Sequence, residues 1–228
     1  MGRVPPTYGL VLWVGYRRPT AWQGSGVEIP PLTAPELHEL IGRRVRHYRS
    51  REGVSSPISL VVLQKLFDAS VGEIRMVLKL ADDLVRRIVA SFRASVAEQL
   101  PEATSSSEFS ERFDQVLGEA LASGALPDAL VETHVRNMIE EQLGALSLRP
   151  KEPKFLNMLG AEGEARAKDH NEYKVKSMQD FSSNYLSKLF KMNLLHRRQA
   201  GRAVYYRLRG LPALAHSYGL LDKLLLKD

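Results

Sequence analysis

The stretch from Leu194 to Leu208 constrains the fold most. Leu194–Gln199 and Ala203–Leu208 alternate apolar and polar residues on either side of a turn at Ala200–Gly201, which predicts an antiparallel hairpin, LLHRRQ-AGR-AVYYRL. Arg197, Arg198, Arg202, Arg207 and Arg209 decorate that two-stranded ribbon. Just before it, Ser182–Met192 (SSNYLSKLFKM) has helical spacing, with Ser182 or Ser183 as its cap. Tyr185, Leu186, Leu189 and Phe190 fall on the inner face of this helix. Ser183, Asn184, Ser187, Lys188 and Lys191 fall on the outer one. Residues 177–210 hold seven Lys/Arg against a single acid, Asp180. Adjacent strand residues face opposite ways, so one of Tyr205 and Tyr206 is expected in the core and the other outside.

Two further helices are read upstream. Lys154–Gly160 carries Phe155, Met158 and Leu159 on one face, and the polar stretch 161–180 holds a second helix around Glu172–Met178. Three helices followed by a basic hairpin make a winged helix-turn-helix the expected fold of residues 154–210. The ribbon L-L-x-R-R-x-x-G-R-x-x-Y-Y-R-L resembles the wing of many prokaryotic winged-helix proteins. A winged helix implies double-stranded DNA as partner, with the third helix in the major groove and the wing on phosphates or in the minor groove. On that reading Ser183, Asn184, Ser187, Lys188 and Lys191 reach base edges and phosphates, and Arg197, Arg198, Arg202 and Arg207 hold the backbone. Two plainer readings stand beside it. Basic hairpins also serve as solvated edges that discourage strand pairing, and winged helices also serve as protein-interaction modules.

Charge divides the chain into blocks. Residues 1–97 hold 14 Lys/Arg and 8 Asp/Glu, residues 98–153 hold 4 and 11, and residues 154–210 hold 12 and 5. The last residues, 211–228, are neutral. Alternating acidic and basic blocks point to separate surfaces with separate partners rather than to a uniformly basic protein. The expected organisation is therefore a helical segment over 1–97, an acidic helical connector over 98–153 that suits a protein partner, and the winged helix with a C-terminal helix over 154–228. Homo-oligomers are compatible with this plan.

Within the first block, Tyr8–Gly15 (YGLVLWVG) reads as a buried strand, and residues 16–35 as a Gly- and Pro-rich loop. Thr33 can cap a helix whose first turn holds Pro35 and Glu36, with Leu37, Leu40, Ile41 and Val45 on one face. Arg43, Arg44, Arg46, Arg49 and Arg51 crowd its far end, where cations suit the helix dipole. After a break at Gly53–Pro57 comes a helix over Ser59–Phe67, with Leu60, Val61, Leu63 and Leu66 in helical spacing. Glu73–Phe92 follows as a long helix that turns Ile74, Val77, Leu78, Ala81, Leu84, Val85 and Ile88 inward. In the acidic block, 101–108 reads as a polar linker, Phe109–Ala122 and Asp128–Leu146 as two helices, and Leu148–Pro153 as a second linker.

Residues 27–92, with Ser70-Val71-Gly72-Glu73-Ile74-Arg75 at their centre, resemble the end of an AAA+ ATPase core with its helical lid. The similarity is to initiators of the archaeal origin-recognition kind and related archaeal ATPases, which also place a winged helix after the lid. The resemblance implies a sensor-2-like role for Arg75 toward a nucleotide phosphate. The departures are large. No Gly-Lys pair occurs anywhere in the chain, so the phosphate loop that such motors need is missing. An apolar strand ending in Asp-Glu for magnesium is missing as well. Arg75 is thus expected to pair with a nearby acid instead, and no cofactor is expected. The reading as the C-terminal piece of an active ATPase remains open.

Other chemistry finds little footing. The six His are scattered without metal-ligand spacing, no Cys is present, and no nucleophile has a base at a telling distance in sequence. Gly24-Ser25-Gly26 is too short to cradle a phosphate alone, and Asp82 and Asp83 pair naturally with Arg86 and Arg87 one turn on. The expected protein is mainly α, not an enzyme, cytoplasmic and without a membrane span. Its function is expected to be DNA binding in replication or transcription control, with an assembly module as the alternative.

Overall fold

A run of apolar residues at helical spacing fixes the first packed pair. Ser59 caps α2 (Leu60–Ala69) by accepting from the Val62 amide at 3.4 Å, and Val62, Leu63, Leu66 and Ala69 form its buried stripe. α3 (Ile74–Gln99), which buries Val77, Leu80, Ala81, Leu84, Ile88 and Val96, packs on α2 and also meets the later helices of the acidic segment. The turn between α2 and α3 is tight: Val71 has φ 57°, a left-handed conformation costly for a β-branched residue. A computed structural model describes residues 32–48, 57–101, 104–122 and 125–221. The expected strand Tyr8–Gly15, the Gly24–Gly26 motif and most of the arginine cluster after Arg43 lie outside the described residues or their described side chains.

The described chain is mainly helical with one small antiparallel hairpin. α1 (Ala34–Tyr48) opens on a capping box, in which the Thr33 amide donates to the Glu36 carboxylate at 2.7 Å. α4 (Ser106–Ala120) opens on another, between Ser105 and Glu108, inside the stretch read as linker. α5 (Asp128–Gly144) buries Val131, Val135, Met138, Ile139 and Leu143. α6 (Lys151–Glu162) starts earlier than its sequence pattern suggests. Pro150 and Pro153, read as linker, stand at its cap and in its first turn, where proline costs no internal hydrogen bond.

After α6 the chain differs from expectation. Glu172–Ser177 is not helical; a 3-10 turn covers Ala167–Asn171, closed by Arg166 and Asp169. The next helix, α7, spans 178–191. It is α-helical over Met178–Asp180, π-helical over Phe181–Ser187 and α-helical again over Lys188–Lys191. Its cap is Ser177, whose hydroxyl accepts from the Asp180 amide at 3.1 Å, and not Ser182 or Ser183. β1 (Leu195–Ala200) and β2 (Ala203–Leu208) pair from Leu195↔Leu208 to Ala200↔Ala203, leaving Gly201 and Arg202 as a two-residue turn. Gly201 has φ 60°, the glycine-first geometry that matches strand twist in short hairpins. Ala165 adds a single bridge to Tyr206, with amide–carbonyl distances of 2.9 and 2.8 Å. α8 (Leu211–Ser217) then packs against α2, α5 and α6.

One apolar core runs from Leu37 to Leu221, with α4 adding only a half-buried edge to it. The end of the hairpin meets the N-terminal helices at the turn between α2 and α3. Gly210 takes a positive φ of 65° and donates its amide to the Ala69 carbonyl at 2.8 Å, while Arg209 pairs with Glu73 at the start of α3. Several residues read as inward are exposed: Leu40, Leu60, Val61, Leu78 and Phe190. Each sits at the edge of its helix's apolar stripe, where burial depends on the crossing angle of the neighbour and not on spacing alone. No described helix is long and apolar enough to cross a membrane.

Candidate nucleic-acid interface

α7 is anchored by its inner face. Phe181, Leu186 and Leu189 are fully buried, and Phe181 meets Phe155 edge-on at 5.4 Å and Tyr173 stacked at 5.2 Å. Burial pushes the Tyr173 phenol up to about 12, so it stays a neutral core group. Tyr185 is half-buried at the rim of this aromatic cluster. Phe190, read as core, instead stands at the surface and leans edge-on against Tyr206 at 6.4 Å.

The outer face of α7 carries the residues expected there, in differing states. Ser183, Asn184 and Lys191 are exposed, and Ser187 and Lys188 are half-buried. Asn184 donates its amide Nδ2 to Asp180 Oδ1 at 2.6 Å. Lys188 is occupied: its ammonium donates to Glu152 Oε1 at 2.5 Å, and the Glu152 side chain is only 2% exposed. Glu152 Oε2 also accepts the Arg149 amide at 2.8 Å, so this carboxylate ties α7 to the start of α6. Lys188 is therefore part of the scaffold in this state.

Strand register sorts the hairpin arginines onto two faces. Arg197 pairs across the ladder with Tyr206, which is buried, so Arg197 stands on the same face as Tyr206 and Leu195. Arg198 pairs with Tyr205, and Arg207 with His196, on the opposite face. Tyr206 is thus the core tyrosine and Tyr205 the outer one. Tyr205 lies beneath two guanidinium groups, Arg198 at 4.8 Å and Arg166 at 5.5 Å from its ring centroid. Arg198 also donates to Glu164 at 2.9 Å. Burial first, then the charges of Arg207 and Arg198, lower the His196 imidazole below its usual range. Arg202 stands exposed in the turn.

Among the described residues, Lys191, Arg197, Arg202 and Arg207 are exposed and make no ion pair. Lys174 and Lys176, exposed just before α7, lie outside the set of residues that the sequence suggests for DNA contact. The signal was present: Ser177-x-x-Asp180 marks a helix start, which places these two lysines at its N-terminal approach. Arg75 is exposed in the first turn of α3 and forms no ion pair among the described residues, and the neighbouring Glu73 is held by Arg209. Asp82 pairs with Arg86 as expected, at 2.9 Å, whereas Arg87 reaches across to Glu141 on α5. No family model, curated protein or solved structure matches this chain.

Proposed function

We propose that this chain is a DNA-binding protein of replication or transcription control, which holds duplex DNA through a winged helix in residues 154–210 and has no ATPase activity of its own. The order α6, Ala165 bridge, 3-10 turn, α7, β1, β2 supports the winged-helix reading. One observation carries the partner. Lys191 on α7 and Arg197, Arg202 and Arg207 on the hairpin, with Arg197 and Arg207 on its two opposite faces, are four exposed cations without an ion pair among the described residues, and α7 also exposes Ser183 and Asn184. Such a set suits phosphates along a groove and base edges within it. Lys188 and Arg198, each paired with an acid, contribute less.

The test is a titration of the full chain with random-sequence duplex DNA at several salt concentrations. Four phosphate contacts give a log–log slope of about −4 between about 50 and 200 mM salt. Binding that ignores salt over that range, or no binding, rejects the proposal. A second reading, an assembly module for a protein partner, is favoured by α4. That helix buries no side chain fully, and it exposes Glu108, Glu111 and Glu119 within the acidic 98–153 segment. Absence of DNA binding would turn attention there.

A further inference from the structure

The contact between Asp180 and Asn184 has no role in the packing of α7. Both residues are exposed, and the aromatic and leucine anchors hold the helix without them. Yet the contact is short and directional: Asn184 Nδ2 donates to Asp180 Oδ1 at 2.6 Å. The π-helical stretch Phe181–Ser187 begins directly after Asp180. Its i→i+5 bonding widens the turn and brings residues four apart nearly one above the other, which favours this pair.

A side-chain amide can sit in two orientations that exchange its oxygen and nitrogen. An ionised carboxylate only accepts hydrogen bonds, so it selects the orientation with nitrogen toward it. One Nδ2 hydrogen is then committed to Asp180. If that is the hydrogen trans to Oδ1, the remaining Nδ2 hydrogen and Oδ1 form an adjacent donor–acceptor pair on this exposed residue. That donor and acceptor, in that order, match N7 and the N6 amino group of adenine in the major groove. The reversed amide would present them in the wrong order. We infer that Asp180 is a specificity-determining positioning residue, which orients the Asn184 amide so that α7 selects adenine at one position of its DNA site. This inference rests on the reading of α7 as the helix that enters the major groove.

An acid in the first turn of a helix also favours the positive end of the helix dipole, and that role needs no DNA. The two roles separate by experiment. The full chain and its variants are used to select from a random-sequence duplex library, and the recovered sequences are then measured one by one, with thermal unfolding of each variant alongside. The wild-type chain should enrich adenine at one position, and Asn184→Ala should reduce that preference by about tenfold or more. Asp180→Ala should lose the same preference while total DNA affinity holds or rises, because a negative charge near phosphates has gone. Asp180→Asn, whose amide can donate as well as accept and so no longer selects one orientation of Asn184, should lose much of the preference too. Adenine selection that persists in Asp180→Ala overturns the inference and leaves the DNA-binding reading intact. Full adenine selection in Asp180→Asn also overturns it, since an acceptor-only partner would then not be what sets the orientation. A wild-type chain that binds no duplex, or enriches no base that Asn184→Ala loses, removes the reading and the inference together.

Discussion

α4 and α7 are helices of similar length, each capped by a serine and each with a polar outer face. They differ in what holds them. α7 sinks Phe181, Leu186 and Leu189 fully into the core and is tied to α6 by the Lys188–Glu152 pair. α4 packs on α3 through half-buried residues only, with Phe109 and Phe113 stacked at 6.5 Å and Arg93 over the Phe113 ring. A polar side chain on α7 therefore stands on a base with little freedom, whereas one on α4 rides on a helix held by a partial seam. Groups that must meet a ligand at defined distances belong on the first kind of element. The second kind suits a surface completed by another molecule. Charge follows the same division, cationic near α7 and acidic along α4.

The sharpest way to break this comparison is to cut into both helices. Leu189→Ala should cost about 2–5 kcal/mol by leaving a cavity in a fully packed site. Leu117→Ala in α4 should cost about 1 kcal/mol, because its side chain is already half in water. Denaturant unfolding of both variants measures the difference, and equal losses would mean that α4 is as firmly anchored as α7. Next comes Lys188→Met, which strands the buried Glu152 carboxylate. We expect a loss of about 2–4 kcal/mol, somewhat below that of a wholly buried pair because Lys188 is partly exposed. A variant that kept full stability but lost DNA affinity would return Lys188 to the binding surface.

Removing the cap of α4 gives a smaller effect. Ser105→Ala deletes the capping box with Glu108 and should lower stability by about 1 kcal/mol, read as a shift of the thermal midpoint. On the cationic side, Arg202→Ala should leave stability unchanged and reduce the salt slope of DNA binding by about one unit on every sequence. Glu111→Gln on α4 should leave that slope alone.

The smallest effect concerns pH. Burial lowers the imidazoles of His134 and His196 in the folded chain, with nearby arginines adding to it. Between the folded value and the ordinary value of about 6.5, the unfolded chain binds more protons. Stability is therefore complete above that ordinary value and falls as pH drops through the window beneath it. Replacing both His by Gln should flatten this part of the stability–pH curve. A curve as steep as that of the parent would place the acid sensitivity elsewhere.

Much of the fold was legible because local rules and tertiary packing agree over most of the chain. Thr33 and Glu36, the apolar stripes of α2 and α3, and the hairpin around Gly201 all declare themselves through capping, period and turn chemistry. The opposite fates of Tyr205 and Tyr206 follow from strand alternation alone. Where two local signals compete, the tertiary structure chooses between them. Pro150 and Pro153 suggested a linker, yet proline is at home in a first helical turn. Ser182 and Ser183 suggested a cap, but Ser177 lies farther upstream and α7 continues through them with π-helical bonding.

Sequence by itself determined the element types, the charged blocks and the inner stripe of α7, because these depend on period and composition within one segment. Only tertiary structure decided which polar groups are at liberty. Glu152 lies 36 residues from Lys188, and Glu164 lies 34 from Arg198, so neither pairing has a local signature. Nor does any pattern along α3 announce that Arg87 reaches Glu141 on α5, or along β2 that Arg209 reaches Glu73. A charge's partner is set by whatever the fold brings within a few ångströms, and Coulomb attraction is indifferent to distance along the chain.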